Sequence, residues 1–133
     1  MKYKRGRLID HVHITVADLD RSRAFYAAVF DCLGIDGLQA EEHFFYCDEL
    51  FVSRGEPSRV HLAFQAESRE MVDRFHAVAL AHGGTDNGAP GARDYHPGYY
   101  GAFVLDPDGH NIEAVHHGPV RRSAEAVVVT PEG

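Results

Sequence analysis

The 133-residue chain has no apolar run long enough to cross a membrane as a helix. Its basic start, MKYKRGR, is not followed by the apolar stretch of a secretory signal, so a cytoplasmic location is expected. Cysteine is scarce. Cys32 and Cys47 are the two present and lie far apart, which excludes a CxxC redox motif and a disulfide framework. Without a cysteine pair, a closed structural zinc site is not expected either. Positive charge is also short: 13 Lys and Arg against 20 Asp and Glu leave a net charge of -7. Phosphate backbones need a basic face, so nucleic acid is excluded as the main partner. The small basic clusters, Lys2 to Arg7 and Arg121-Arg122, lie near the termini and read as solvated.

What remains is a globular composition, 44% apolar, with ten histidines. The length suits one domain, or two repeated halves sharing a core. Residues 8–16, LIDHVHITV, alternate with period two and read as a strand. Asp18 caps a predicted helix to about Asp31, with Phe25, Tyr26, Val29 and Phe30 as its apolar stripe. Short strands are expected near 38–40, 43–47 and 50–54, before Gly55-Glu56-Pro57 breaks the pattern. The order then repeats. RVHLAFQ at 59–65 reads as a strand, and Ser68 caps a second helix with Met71, Val72, Phe75, Val78 and Ala79 inward. A Gly/Pro-rich loop is expected from Thr85 to Gly98, then a hairpin from Tyr99 to His116. In the tail after Gly118, only Val127-Val128-Val129 suggests docking. The chain therefore reads β-α-β-β-β twice, an α+β arrangement, with His11 and His61 at matching places fifty positions apart.

The hairpin FVLDPDGHNIEAV is the most informative stretch. Asp106-Pro107-Asp108-Gly109 suits a type I turn, and Glu113 then sits between Ile112 and Ala114. A carboxylate there is costly unless it meets water, a partner or a metal. Strand parity sorts the neighbours. Val12, Ile14 and Val16 share one face, while His11, His13 and Thr15 share the other. Val60, Leu62 and Phe64 likewise oppose His61, and Ile112 and Ala114 oppose Glu113. If the mixed faces converge, His11, His61 and Glu113 form a facial triad for Fe, Mn, Zn or Ni, with open positions for a small-molecule substrate. Taken singly, a strand histidine is more often solvated than a ligand, and Glu113 alone fits an outward edge. His13 reads as a proton shuttle, a substrate contact or a space-filling polar residue. In the loop 92–101, ARDYHPGYYG, His96 and Tyr99 are the favoured substrate contacts, with one of Tyr99 and Tyr100 entering the site and the other packing on a helix. Arg93 is there too, a partner for an anionic substrate or a solvated cation. His110 reads as a turn residue; His116 and His117 read as solvent-facing.

Through DHVHITVADLDRSRAFY, VHLAF and GAFVLDPDGHNIEAV, residues 8 to 117 resemble the vicinal oxygen chelate superfamily. It includes glyoxalase I, bleomycin-resistance proteins, fosfomycin-resistance thiol transferases and extradiol dioxygenases. The resemblance implies a glyoxalase-like domain over 1–133: unit 1 about 8–56, unit 2 about 57–117 and a tail 118–133, the two βαβββ units curling around a metal cup. It puts the metal on His11, His61 and Glu113, and implies catalytic roles for His13 and Glu113. It also implies lyase, isomerase or dioxygenase chemistry on a substrate chelating through vicinal oxygens, or ligand sequestration without catalysis. Glyoxalase I typically adds a Glu or Gln on the last strand of unit 1. LFVSR at 50–54 has neither, so true glyoxalase I activity is not expected. Members of this length commonly form homodimers, with the cup built within a chain or across two.

Overall fold

The computed structural model describes residues 3–6 and 8–132; Lys2 and Arg7 of the basic N-terminal cluster lie outside them. In chain order the elements are β1 Tyr3–Arg5, β2 Val12–Val16, α1 Leu19–Cys32, β3 Gln39–Ala40, β4 Phe44–Cys47, β5 Leu50–Arg54, β6 His61–Gln65, α2 Arg69–Ala81, β7 Thr85–Ala92, β8 Tyr100–Leu105, β9 Asn111–His116 and β10 Val127–Val129. Two mixed sheets repeat one topology, β2-β5-β4-β3 and β6-β9-β8-β7. In each, the first strand pairs parallel with the last, and the helix between them makes the crossover. This is the expected pair of βαβββ units. The valines of the tail do dock: β10 pairs with β1.

Local chemistry explains the helices. The Asp18 carboxylate accepts the Arg21 amide at 3.1 Å, and the Ser68 hydroxyl accepts the Met71 amide at 3.1 Å. Each cap satisfies a donor that the first turn leaves open, a contribution of about 1 kcal/mol. Phe25, Tyr26, Val29 and Phe30 of α1 are buried, as are Val72, Phe75 and Ala79 of α2. The helices pack on each other. Phe30 meets Phe64 of β6 edge-on at 5.3 Å, so unit 1's helix also touches unit 2's first strand. The apolar sides of β2, β4, β5, β6, β8 and β9 turn to this shared core, which leaves their mixed sides facing away from it.

Two expectations need correction. Residues 85–92 are not loop but β7, an edge strand whose register shifts between Asp86 and Gly88 and again between Gly88 and Gly91. Glycine and proline obscure the period, yet bulged edge strands tolerate both. His110 is not a simple turn residue; it is fully buried. The turn forms as expected, with the Gly109 amide on the Asp106 carbonyl at 3.0 Å and Gly109 at φ 95. Its side chains, however, reach into unit 1. Asp106 Oδ2 accepts the Tyr26 hydroxyl at 2.6 Å and His110 Nδ1–H at 2.8 Å. His110 Nε2 is 2.9 Å from Ser58 Oγ, which accepts the Thr15 amide at 3.0 Å. Asp108 Oδ1 accepts the Ala17 amide at 2.9 Å. Burial alone pushes the Asp106 carboxyl up, but the hydrogen bonds from His110 and Tyr26 outweigh it and hold it below its ordinary value. Ser58, His110 and Asp106 have the order of a nucleophile, base and acid. They line neither cavity described below, and Ser58 is tied to the β2 backbone, so the network is a clasp between the units.

Candidate metal centre

In unit 2 the mixed face gathers around Glu113. It lies on β9, second in its sheet, and is 2% exposed. An isolated carboxylate at that depth is unfavourable by several kcal/mol, roughly, so its partners matter. His61 on the neighbouring edge strand sends Nε2 to within 3.1 Å of Glu113 Oε1. The other ring nitrogen, Nδ1, donates to the Asn111 carbonyl at 3.0 Å. That bond settles the tautomer: neutral His61 turns its Nε2 lone pair toward the lone pairs of a carboxylate. Two acceptors face each other comfortably only with a cation between them, a proton or a metal. The 3.1 Å separation also suits two ligands of one ion with bonds of about 2.0–2.2 Å. Backbone-tethered imidazole and hydrogen-bonded carboxylate are how metal ligands are held in orientation. The residues therefore fit a divalent ion.

Tyr99 completes the setting. Its hydroxyl donates to Glu113 Oε2. Burial, then the bond to Glu113 and its charge, push the phenol well above its ordinary value, so it stays a donor. Gly101 makes this possible, since a Cβ there would meet Glu113 Oε2 at 3.1 Å and Tyr99 Cε1 at 3.3 Å. The expected division of the tyrosines holds: Tyr100 turns away and donates to Asp73 on α2 at 2.6 Å. His96 packs edge-on against Tyr99 at 5.3 Å and shares a 2.9 Å hydrogen bond with His117 Nδ1. His117 is exposed, as expected. Its ring also lies 5.3 Å from Tyr99, a contact that parity within one strand cannot reveal. Phe103, another residue sequence reasoning missed, stacks on His61 at 6.0 Å.

Unit 1 carries the other two histidines singled out in the sequence. His13 Nε2 lies 2.7 Å from Ser53 Oγ, with its ring edge-on to Phe51 at 4.8 Å. His11 precedes β2, its Nδ1 2.7 Å from Asp10 Oδ1 and its ring largely exposed. The two histidines line a cavity of about 330 Å³ with Tyr46, Asp48, Leu50 and Phe51. Within one chain the described residues bring no three of His, Cys, Asp and Glu together around a common ion, so His61 and Glu113 meet while His11 stays apart. Register also locates the unit 1 counterpart of Glu113. His13 pairs with Phe51 as Ala63 pairs with Glu113, so Phe51 stands at the unit 1 counterpart of Glu113. A second cavity, about 700 Å³, lies between the units, lined by Phe30, Leu33, Leu62, Phe64 and Val115 but by none of His11, His61 and Glu113.

No helix among the described residues is long and apolar enough to cross a membrane. No curated protein matches the sequence at a significant level. The profile of the glyoxalase/bleomycin resistance protein/dioxygenase superfamily matches residues 34–114. A glyoxalase/bleomycin resistance protein from Albidiferax ferrireducens T118 is 34% identical over 83% of this chain and 98% of its own, with a TM-score of 0.71. A glyoxalase/bleomycin resistance protein/dioxygenase family enzyme from Burkholderia phytofirmans PsJN is 24% identical, over 81% and 97%, with a TM-score of 0.66. Lactoylglutathione lyase from Agrobacterium tumefaciens is 20% identical, over 80% and 91%, with a TM-score of 0.60. At the last two identities the likeness is one of fold. Profile, structural match and paired βαβββ topology agree, and the chain belongs to the glyoxalase/bleomycin resistance protein/dioxygenase superfamily.

Proposed function

We propose that this protein is a divalent-metal-dependent enzyme acting on a small substrate that chelates the ion through vicinal oxygens, by lyase, isomerase or dioxygenase chemistry. The ion is held by His61 and Glu113 of one copy and His11 of a second. The observation that carries this reading is the 3.1 Å approach of His61 Nε2 to Glu113 Oε1 while Asn111 occupies Nδ1. Two imidazoles and a carboxylate accept Fe, Mn, Zn or Ni. The second copy is argued from the sheet edges: β2 and β6 are each the end strand of a sheet. A homodimer that sets β2 of one copy beside β6 of the other covers both edges and makes two equal sites.

A bound divalent ion supplies Lewis acidity to the chelating oxygens. The protein supplies the rest. Tyr99 fixes Glu113 so that Oε1 faces His61. Ser53 steadies His13, which takes and returns the substrate proton. His96 and Tyr99 border the outer part of the substrate. The test is metal content in His11→Ala, His61→Ala and Glu113→Ala. Each is expected to weaken binding by at least about 100-fold. Mixing His11→Ala with Glu113→Ala subunits should recover about a quarter of the capacity, because about half of random pairs are mixed and each holds one intact site. Full metal content in each single variant sinks the assignment; no recovery on mixing sinks the shared site.

A second reading is a ligand-sequestering protein of the bleomycin-resistance type. It is favoured by unit 1's aromatic face, where Phe44 stacks on Phe51 at 5.0 Å. Tight binding of an aromatic ligand by metal-free protein selects it.

A further inference from the structure

Arg93 follows β7 and folds back over the face that carries Glu113. Its guanidinium lies 5.5 Å from the centre of the Phe103 ring. Nη2 donates to the Ala89 carbonyl at 2.7 Å, and Nη1 to the Ala92 carbonyl at 3.4 Å. The seat is built for it. A Cβ at Gly88 would stand 3.3 Å from Nη2, and one at Gly91 would stand 3.1 Å from Nη1. At Gly88 a Cβ would also stand 3.1 Å from Phe103 Cδ1, and its φ of +150° itself favours glycine.

Its surroundings point to the metal pair. Gly88 pairs with Phe103, and Phe103 pairs with Glu113, so all three lie in one row across the sheet. The Phe103 ring that carries Arg93 also stacks on His61. The Arg93 amide donates to the Tyr99 carbonyl at 3.0 Å, tying the cation to the residue whose hydroxyl holds Glu113. Yet among the described residues Arg93 has no carboxylate partner; both of its side-chain hydrogen bonds go to backbone carbonyls. The guanidinium is held on this face by two backbone carbonyls and the Phe103 ring. Arginine has five N–H donors, so three remain, in the planar fork that fits a carboxylate.

We propose that Arg93 is the anion-recognition residue of this site and that the substrate is a small acid. It offers vicinal oxygens at the His61–Glu113 pair and rests a carboxylate on Arg93. This rests on the metal reading above, and the experiment separates the two. Zinc-loaded protein is titrated calorimetrically with catechol and with 3,4-dihydroxybenzoate, which share a vicinal-oxygen chelate and differ by one carboxylate. Wild type should favour the acid by at least about tenfold, as a charge-assisted hydrogen-bonded pair allows. Arg93→Gln should bring the ratio close to one, and Arg93→Lys should retain part of it. Gly91→Ala, which leaves the charge but sets a Cβ against Nη1, should lower the ratio as well. A ratio near one in wild type, a preference that survives Arg93→Gln, or no binding of either chelator by metal-loaded protein overturns the anion site while leaving the metal assignment standing. Failure to load zinc overturns the metal assignment and this inference with it.

Discussion

The two units are copies in topology and opposites in chemistry. Both run βαβββ, both cap their helix with a short polar side chain, and both pair their first strand parallel with their last. At matched register, unit 2 has Glu113 and unit 1 has Phe51. Unit 2's face is charged and hydrogen-bonded, with His61, Tyr99, Glu113 and Arg93; unit 1's stacks Phe44, Tyr46 and Phe51 around His13. The turns before the last strands differ as well. Unit 1 passes from β4 to β5 through Asp48 and Glu49, with Asp48 at φ 48. Unit 2 uses the longer segment from Asp106 to His110 and buries it against α1. A repeat thus keeps its backbone pairing while one copy carries polar groups on its outer face and the other aromatic rings, because a sheet's stability resides in its ladder and core face and leaves the outer face free to vary.

The largest expected effect is on what joins the units. Asp106→Asn removes the charge that organises Tyr26 and His110, and it should cost about 2–4 kcal/mol in denaturant unfolding at pH 7. The sign with pH follows from the depressed carboxyl. Asp106's contribution is present above the unfolded carboxylate value of about 3.9 and is lost as pH falls through the lower folded one. The gap between wild type and Asp106→Asn should therefore narrow below about pH 4. A constant gap across that window excludes an ionised Asp106 as the organiser.

Much of this was legible in the residues. Period-two alternation located β2 and β6, Asp18 and Ser68 located the helix starts, and parity put Tyr99 and Tyr100 on opposite faces. Three features were not. The period is hidden in β7 because its glycines and proline give no hydrophobic signal, although those glycines turn out to seat Arg93. The burial of His110 depends on Tyr26 and Ser58, 84 and 52 positions away, and no local pattern encodes such a contact. Parity states which side of its own strand His11 takes; it does not state which sheet that side meets. Convergence of His61 with Glu113 follows from adjacent parallel strands, whereas the proposed meeting of His11 with His61 would follow from assembly.

A smaller effect is expected at Tyr99. Tyr99→Phe keeps the ring edge-on against His96 and His117 and deletes the donor to Glu113 Oε2. Loss of an outer partner of a ligand typically weakens a metal about 10–100-fold, so zinc affinity measured by competition with a chromophoric chelator should fall in that range. Unchanged affinity means that His61 alone orients the carboxylate and that Tyr99 belongs to substrate contact only.

The smallest effect, and the sharpest test of the comparison, is Phe51→Glu. If Phe51 stands where Glu113 does, a carboxylate there should enter the shared site from the unit 1 side, as a fourth protein ligand beside His11. Zinc affinity should then rise by about tenfold, the gain of one carboxylate ligand partly offset by crowding with a like charge. Metal-free protein should lose about 1 kcal/mol, because Phe51 gives up its packing on His13 and Phe44. The two measurements have to move in opposite directions. Destabilisation without a gain in affinity would mean that the unit 1 face lies beyond reach of the His61–Glu113 pair even in the assembled protein. The aromatic face would then be a wall for the ligand rather than the vacant quarter of a four-ligand site.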